Sequence, residues 1–207
     1  MEPTFIGLTG SVGAGKSAAL TALERLGVAT ISSDAIVHEL LATDELREAL
    51  VERWGDEVAA NGELDRGRVA EIVFRDPDEL AWLESQLHPR VGGRIAEWRA
   101  GLDPEVELAA VEVPLLFESG MEGVFDAVLC VTAPLDSRSE RATGRGLGEL
   151  EGRDGRQLPE SEKAARSDFV VANDGTLEQL EAKLAALIPE LKSARVGKID
   201  GVDDRTG

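Results

Sequence analysis

The octapeptide Gly10-Ser11-Val12-Gly13-Ala14-Gly15-Lys16-Ser17 follows an apolar run, Phe5 to Thr9, and precedes a leucine-spaced run, Leu20, Leu23 and Leu26, that stops at Gly27. It fits the pattern G-x-x-x-x-G-K-S/T at every fixed position. Wrapping backbone around a polyanion requires this order of residues. Glycines allow close approach and positive φ angles, which aim successive amide N–H groups inward. A helix that begins near Lys16 adds its unpaired N–H groups and the positive end of its dipole. The Lys16 ammonium supplies a point charge to the terminal phosphates, and the Ser17 hydroxyl can ligate Mg²⁺. A mobile glycine turn ahead of a helix would show the same composition, but the apolar strand before the loop and the leucine stripe after it are what a triphosphate cradle needs.

The rest of the chain repeats that alternation. Short β-compatible runs fall at Phe5 to Thr9, Val28 to Ile31, Leu108 to Val113, Ala127 to Val131 and Phe169 to Ala172, each nearly continuous in apolar residues. Continuous runs suit strands covered on both faces. Between them lie helical patterns. Asp76 before Pro77 reads as a helix start for Leu80, Leu83 and Leu87, and Thr176 with Gln179 has capping-box spacing ahead of Leu177, Leu180, Leu184, Leu187 and Ile188. Right-handed crossovers then give an α/β, three-layer fold: a five-stranded parallel sheet with helices on both faces. Two stretches break the alternation, about 43–100, helical without a strand, and about 134–167, charged and punctuated by glycine. They are read as a substrate-binding region and a lid within one domain spanning 1–191, and 192–207 as a flexible tail.

Composition narrows the partners. Forty acidic residues against 22 basic give a net charge of -18, a field that repels nucleic acid and anionic membrane alike. No run of about 18 apolar residues and no basic leader with a cleavage site is found, which predicts a cytoplasmic chain. The single cysteine, Cys130, lies inside an apolar run and reads as a core thiol. Nothing in the composition fixes assembly beyond a monomer or weak homo-oligomer.

A triphosphate loop does not name a reaction. A switch GTPase would carry N-K-x-D, and the nearest stretch, Val171-Ala172-Asn173-Asp174, lacks the lysine. A small-molecule kinase needs a carboxylate beside the accepting hydroxyl. The second strand ends in Ile31-Ser32-Ser33-Asp34, which places Asp34 at a strand's carboxyl end beside the glycine loop as the acceptor-side base. Asp34 serves equally well as an N-cap for a helix over Ala35 to Leu41. His38 shares its helix face.

Further motifs carry a resemblance. Asn61-Gly62-Glu63-Leu64-Asp65-Arg66, Leu87-His88-Pro89-Arg90-Val91, Val113-Pro114-Leu115-Leu116-Phe117-Glu118, Gln157-Leu158-Pro159 with Glu162-Lys163, and Ser167-Asp168-Phe169-Val170-Val171-Ala172-Asn173 follow the loop in order. Together they resemble the dephospho-coenzyme A kinase family from about Thr4 to Ile188. The resemblance implies a P-loop kinase that uses ATP to phosphorylate the ribose 3′-hydroxyl of dephospho-CoA with Mg²⁺. It implies Asp34 as catalytic carboxylate, Gly13, Ala14, Gly15, Lys16, Ser17 and Ala18 as the ATP cradle, and Asn173 near the adenine. His88, with Pro89 opening a helix, becomes a substrate-pocket residue; without the resemblance it reads as a turn or cap. Leu115, Leu116 and Phe117 would face the acceptor pocket once Pro114 turns the chain off its strand, or form core. Glu112 either reaches Mg²⁺ through water or faces solvent. Arg141 and Arg145, one helical turn apart, either close over the phosphates as lid arginines or belong to a mixed-charge surface helix. Ser32 stands where the family commonly has aspartate, and Ala18 where it commonly has threonine. Another nucleoside or nucleotide kinase, and a nucleotide-binding module without chemistry, are the two other functions the sequence allows.

Overall fold

Six consecutive buried residues, Thr4–Thr9, form β1 of the computed structural model, which describes residues 2–138 and 157–199. A strand with no exposed position is covered on both faces, as its continuous apolar run implied. Its alternate residues divide between two layers. Ile6 and Leu8 join a core with Leu23 of α1 (Lys16–Arg25), while Phe5 stacks on Phe125 with ring centroids 5.0 Å apart.

Around β1 lie β2 (Ala29–Ser32), β3 (Leu108–Glu112), β4 (Ala127–Thr132) and β5 (Phe169–Ala172), in the order β2-β3-β1-β4-β5. β1 pairs parallel to both β3 and β4, and β4 pairs parallel to β5. The strands fall within one residue of their expected ends. The order has one consequence the sequence reading missed: β3 lies between β1 and β2, so the carboxyl end of β2 is not β1's neighbour. It stands two strand spacings away, roughly 10 Å. The chain leaves β1 for β2 on one side and reaches β4 on the other, which makes the carboxyl end of β1 a topological switch point, where open sheets of this kind open a crevice.

Two aspartates fix the strand entries. Asp126 accepts the Phe5 N–H at 2.8 Å and returns its own N–H to the Phe5 carbonyl, and Asp168 accepts the Val128 N–H at 2.8 Å. Helix α6 (Glu160–Arg166) precedes β5, and α7 (Leu177–Ile199) follows it. Thr176 and Gln179 cap α7 reciprocally, at 2.9 and 3.3 Å, as their spacing predicts. Leu180, Leu184 and Leu191 are buried against the sheet. The helix runs through Pro189 to Ile199, so the first residues of the expected tail are helical; the Lys192 carbonyl accepts from the Thr4 hydroxyl at 3.0 Å.

The chain divides into two compact units, residues 1–31 with 102–207, and Ser32–Gly101. The second, described by itself, begins at Ser32, earlier than the helical region read from the sequence. It consists of α2 (Ser33–Leu40), α3 (Asp44–Trp54), a single 3₁₀ turn at Asp56–Val58, α4 (Arg66–Arg75) and α5 (Pro77–Ala100). Leu46, Leu50, Val58, Val69, Val73, Leu83 and Leu87 are its own core. Thr43, Asp65 and Asp76 cap successive helices with their side-chain oxygens. Arg53 grips Glu79 with both ends of its fork, at 2.8 and 3.0 Å, while the Trp54 indole N–H donates to the same carboxylate at 2.7 Å. Pro89 corrects an expectation. It does not open a helix but sits inside the 24-residue α5. Its ring removes one backbone donor, and the Arg90 guanidinium donates to the nearby Gln86 carbonyl at 2.8 Å.

Candidate active site

The glycine loop leaves β1 at Thr9 and ends in α1, whose N-cap Gly15 is left-handed, with φ 92° and ψ 31°. Close approach dictates the residue at two other positions. A Cβ on Gly10 would strike the Val131 carbonyl oxygen, and one on Gly13 would strike the backbone of Arg138; both have positive φ, 151° and 74°. Backbone of β4 and of the segment after it therefore packs directly on the loop, where a side chain has no room.

Hydrogen bonds hold the loop at several points. The Ala14 N–H donates to the Ser11 carbonyl at 3.1 Å, closing a tight turn. Lys16 curls back, its ammonium donating to the Gly10 and Ser11 carbonyls at 3.0 and 3.1 Å. Beneath, the Asn173 side-chain amide donates to the Ala14 carbonyl at 2.9 Å, and its own N–H donates to Thr132 at 2.7 Å. Asn173 is 3% exposed. The residue expected near the adenine is thus a strut that ties the end of β5 to the cradle. Ser17 and Ala18 occupy the first turn of α1, with Ser17 exposed.

Asp34 is the second residue past the carboxyl end of β2 and lies in the first turn of α2, half-buried. The capping role that competed for it belongs to Ser32, whose hydroxyl accepts from the Ala35 N–H at 3.5 Å. Ser32 is thus the helix cap, and Asp34 is not needed for that purpose.

The turn after β3 divides between the two readings open for it. Leu116 is fully buried, and Phe117 is 5% exposed with the Arg166 guanidinium 4.5 Å above its ring. Phe117 therefore does not face an open acceptor pocket; Leu115 is half-buried and keeps some exposure. What shapes this turn is Lys163, 0% exposed, which donates to the Pro114 carbonyl at 2.7 Å and pairs with Glu118 at 2.9 Å. Glu118 also accepts the Leu158 N–H at 2.8 Å. Burial raises the Glu118 carboxyl, but the Lys163 ammonium and the Leu158 amide outweigh it and hold the group below its ordinary range. Glu112, the last residue of β3, is buried, so the solvent-facing reading does not hold. His88 lies exposed on α5 in the second unit. Arg141 and Arg145 lie outside the described residues.

For a metal, the donor chemistry is oxygen: the Ser17 hydroxyl in the first turn of α1 and the Glu112 carboxylate at the end of β3, which is in register with Leu8 of β1. Among the described residues no group of three or more His, Cys, Asp or Glu gathers. A hydroxyl with one or two carboxylates suits Mg²⁺, which keeps several waters and takes further ligands from substrate phosphates.

A sequence model of the dephospho-CoA kinase family matches residues 4–179. The chain belongs to that family. Among curated relatives, a dephospho-CoA kinase of Deinococcus radiodurans is 40% identical over 195 residues, covering 92% of this chain and 94% of its own. One from Thermus thermophilus is 38% identical over 199 residues, covering 95% and 96%. The fold agrees: the crystal structure of TT1252 from Thermus thermophilus superposes with a TM-score of 0.78 at 37% identity, over 92% of this chain and 99% of that one. Family membership makes ATP the nucleotide the loop is built for. Lys163, Glu118, Gln157 and Arg138 are the members of this neighbourhood that sequence reasoning assigned no individual role. Their partners lie tens of residues away, and no local spacing announces such contacts.

Proposed function

We propose that the chain transfers the γ-phosphoryl group of ATP to the ribose 3′-hydroxyl of dephospho-CoA, giving coenzyme A and ADP, the last step of coenzyme A synthesis. The observation that carries this reading is the left-handed glycine cradle at the N-terminus of α1, set at the sheet's switch point in a chain of this family.

Amides of the loop and the first turn of α1 grip the β- and γ-phosphates, and the Lys16 ammonium neutralises charge on them as it builds. Asp34 accepts the proton of the 3′-hydroxyl while its oxygen bonds to the γ-phosphorus and the bond from phosphorus to the bridging oxygen breaks, leaving ADP. Ser17, with Glu112 acting through water, would hold Mg²⁺, whose positive charge would offset that of the phosphate oxygens. Arg141 and Arg145 are assigned to the transferring phosphoryl oxygens, a role that in related chemistry is worth ~10³ in rate. His88 and Leu115 are assigned to the acceptor. Asn173 supports the cradle through Ala14, and Ala18 completes the first turn. The enzyme works in the cytoplasm as a monomer or weak homo-oligomer; among the described residues no helix is long and apolar enough to cross a membrane.

Purified chain with ATP and Mg²⁺, offered dephospho-CoA, adenosine, AMP and uridine in separate reactions, tests the proposal. It predicts ADP release with dephospho-CoA alone and a product phosphorylated at the 3′ position. Preference for AMP or uridine would transfer the chain to another acceptor class, and nucleotide binding without turnover would make it a binding module.

A further inference from the structure

Val12, in the middle of the glycine loop, has both of its backbone groups taken by side chains from far along the chain. Gln157 Oε1 accepts its N–H at 3.1 Å, and Arg138 Nε donates to its carbonyl at 3.1 Å. Neither side chain is there by accident of a mobile surface. The Arg138 guanidinium also lies 3.6 Å from the Glu160 carboxylate, each side chain 21% exposed, and Glu160 in turn accepts the Ala133 N–H at 3.3 Å. Arg138 backbone sits against Gly13 so closely that only glycine fits. Gln157 adds a second, independent sign. Its Nε2 is buried and, among the described residues, has no hydrogen-bond partner, and a buried orphan donor costs free energy. Only the oxygen of the amide can accept from an N–H, so the side chain is fixed in this orientation by what Oε1 does for Val12.

A phosphate cradle works through amides that already point at the anion before it arrives. A loop with glycine at three of eight positions does not hold such an arrangement alone. Since the Val12 N–H is given to Gln157 and its carbonyl accepts from Arg138, both peptide planes of Val12 are fixed, and this sets the direction in which the rest of the loop starts. We propose that Arg138 and Gln157 are positioning residues for the nucleotide: together they clamp Val12 and preorganise the phosphate loop. This rests on the ATP reading of the loop given above.

Gln157→Leu and Arg138→Met in the full chain test it, with both KM values, kcat and the thermal midpoint measured. Each variant is expected to raise the ATP KM roughly 3- to 10-fold, one hydrogen bond's worth, with the dephospho-CoA KM unmoved. A parental ATP KM in a folded variant overturns the assignment, and so does a parallel rise in both KM values. Should a variant not fold, amide exchange in the parent chain decides: the Val12 N–H is expected to be protected at least ~10-fold over an open loop amide, and exchange at the open rate overturns the clamp. A parent chain that does not turn over ATP would refute the function itself, whereas an unchanged ATP KM in the variants overturns only this assignment.

Discussion

Lys163 carries a charge into a place with no solvent, and its two bonds, to Glu118 and to the Pro114 carbonyl, hold the turn that follows β3. Removing one partner of such a pair leaves the other buried and uncompensated. Lys163→Met is therefore expected to cost about 3–5 kcal/mol in urea denaturation. The Glu118 carboxyl, depressed in the folded chain, adds a pH dependence of definite sign. A lowered pKa stabilises the fold above the ordinary glutamate value, and that stability is lost as pH falls through the folded value. Denaturation at about pH 6 and about pH 3.5 should show the difference between parent and Glu118→Gln shrinking on acidification. At the chemistry itself, Lys16→Ala and Asp34→Ala are each expected to lower kcat by roughly 10²–10⁴ with the fold retained. An unfolded variant, or one with near-parental kcat, would count against the assigned roles.

At the scale of elements, the strands and the loop were legible because their signals are local: continuous apolar runs, a fixed glycine spacing, a capping pair at Thr176 and Gln179. The helix start read at Pro89 was wrong because packing overrides a local rule. Proline ends a helix by propensity, yet α5 runs through Pro89 and α7 through Pro189. In α5 the next side chain bonds a carbonyl close to the break; in α7 the following turn places Leu191, 1% exposed, against the sheet core. Leu184→Ala or Leu191→Ala should then each cost about 2–5 kcal/mol. Sheet order was not legible either. Nothing in single strands says that β3 enters between β1 and β2.

For the whole molecule, the acidic balance lies mainly at the surface: among the described residues Glu112 is the one acidic residue in the buried interior. Cys130 reports on that interior. Burial, chiefly, pushes its thiol up to about 11, so it should resist alkylation at neutral pH in the folded chain and react once denaturant unfolds it. Labelling of the native protein at the rate of a free thiol would contradict the buried β4. A raised thiol pKa also means that stability is present below the ordinary value of 9.0 and lost as pH rises through about 11. Two compact units, one built on the sheet and one all helical, contribute Lys16 and Asp34 respectively. The claim on which the account turns is that these two residues serve one reaction. A crystal structure with a non-hydrolysable ATP analogue, Mg²⁺ and dephospho-CoA measures it directly: the account predicts an Asp34 carboxylate oxygen within about 3.2 Å of the ribose 3′-oxygen, and that carboxylate turned away from the acceptor, with another group at the hydroxyl, would contradict it.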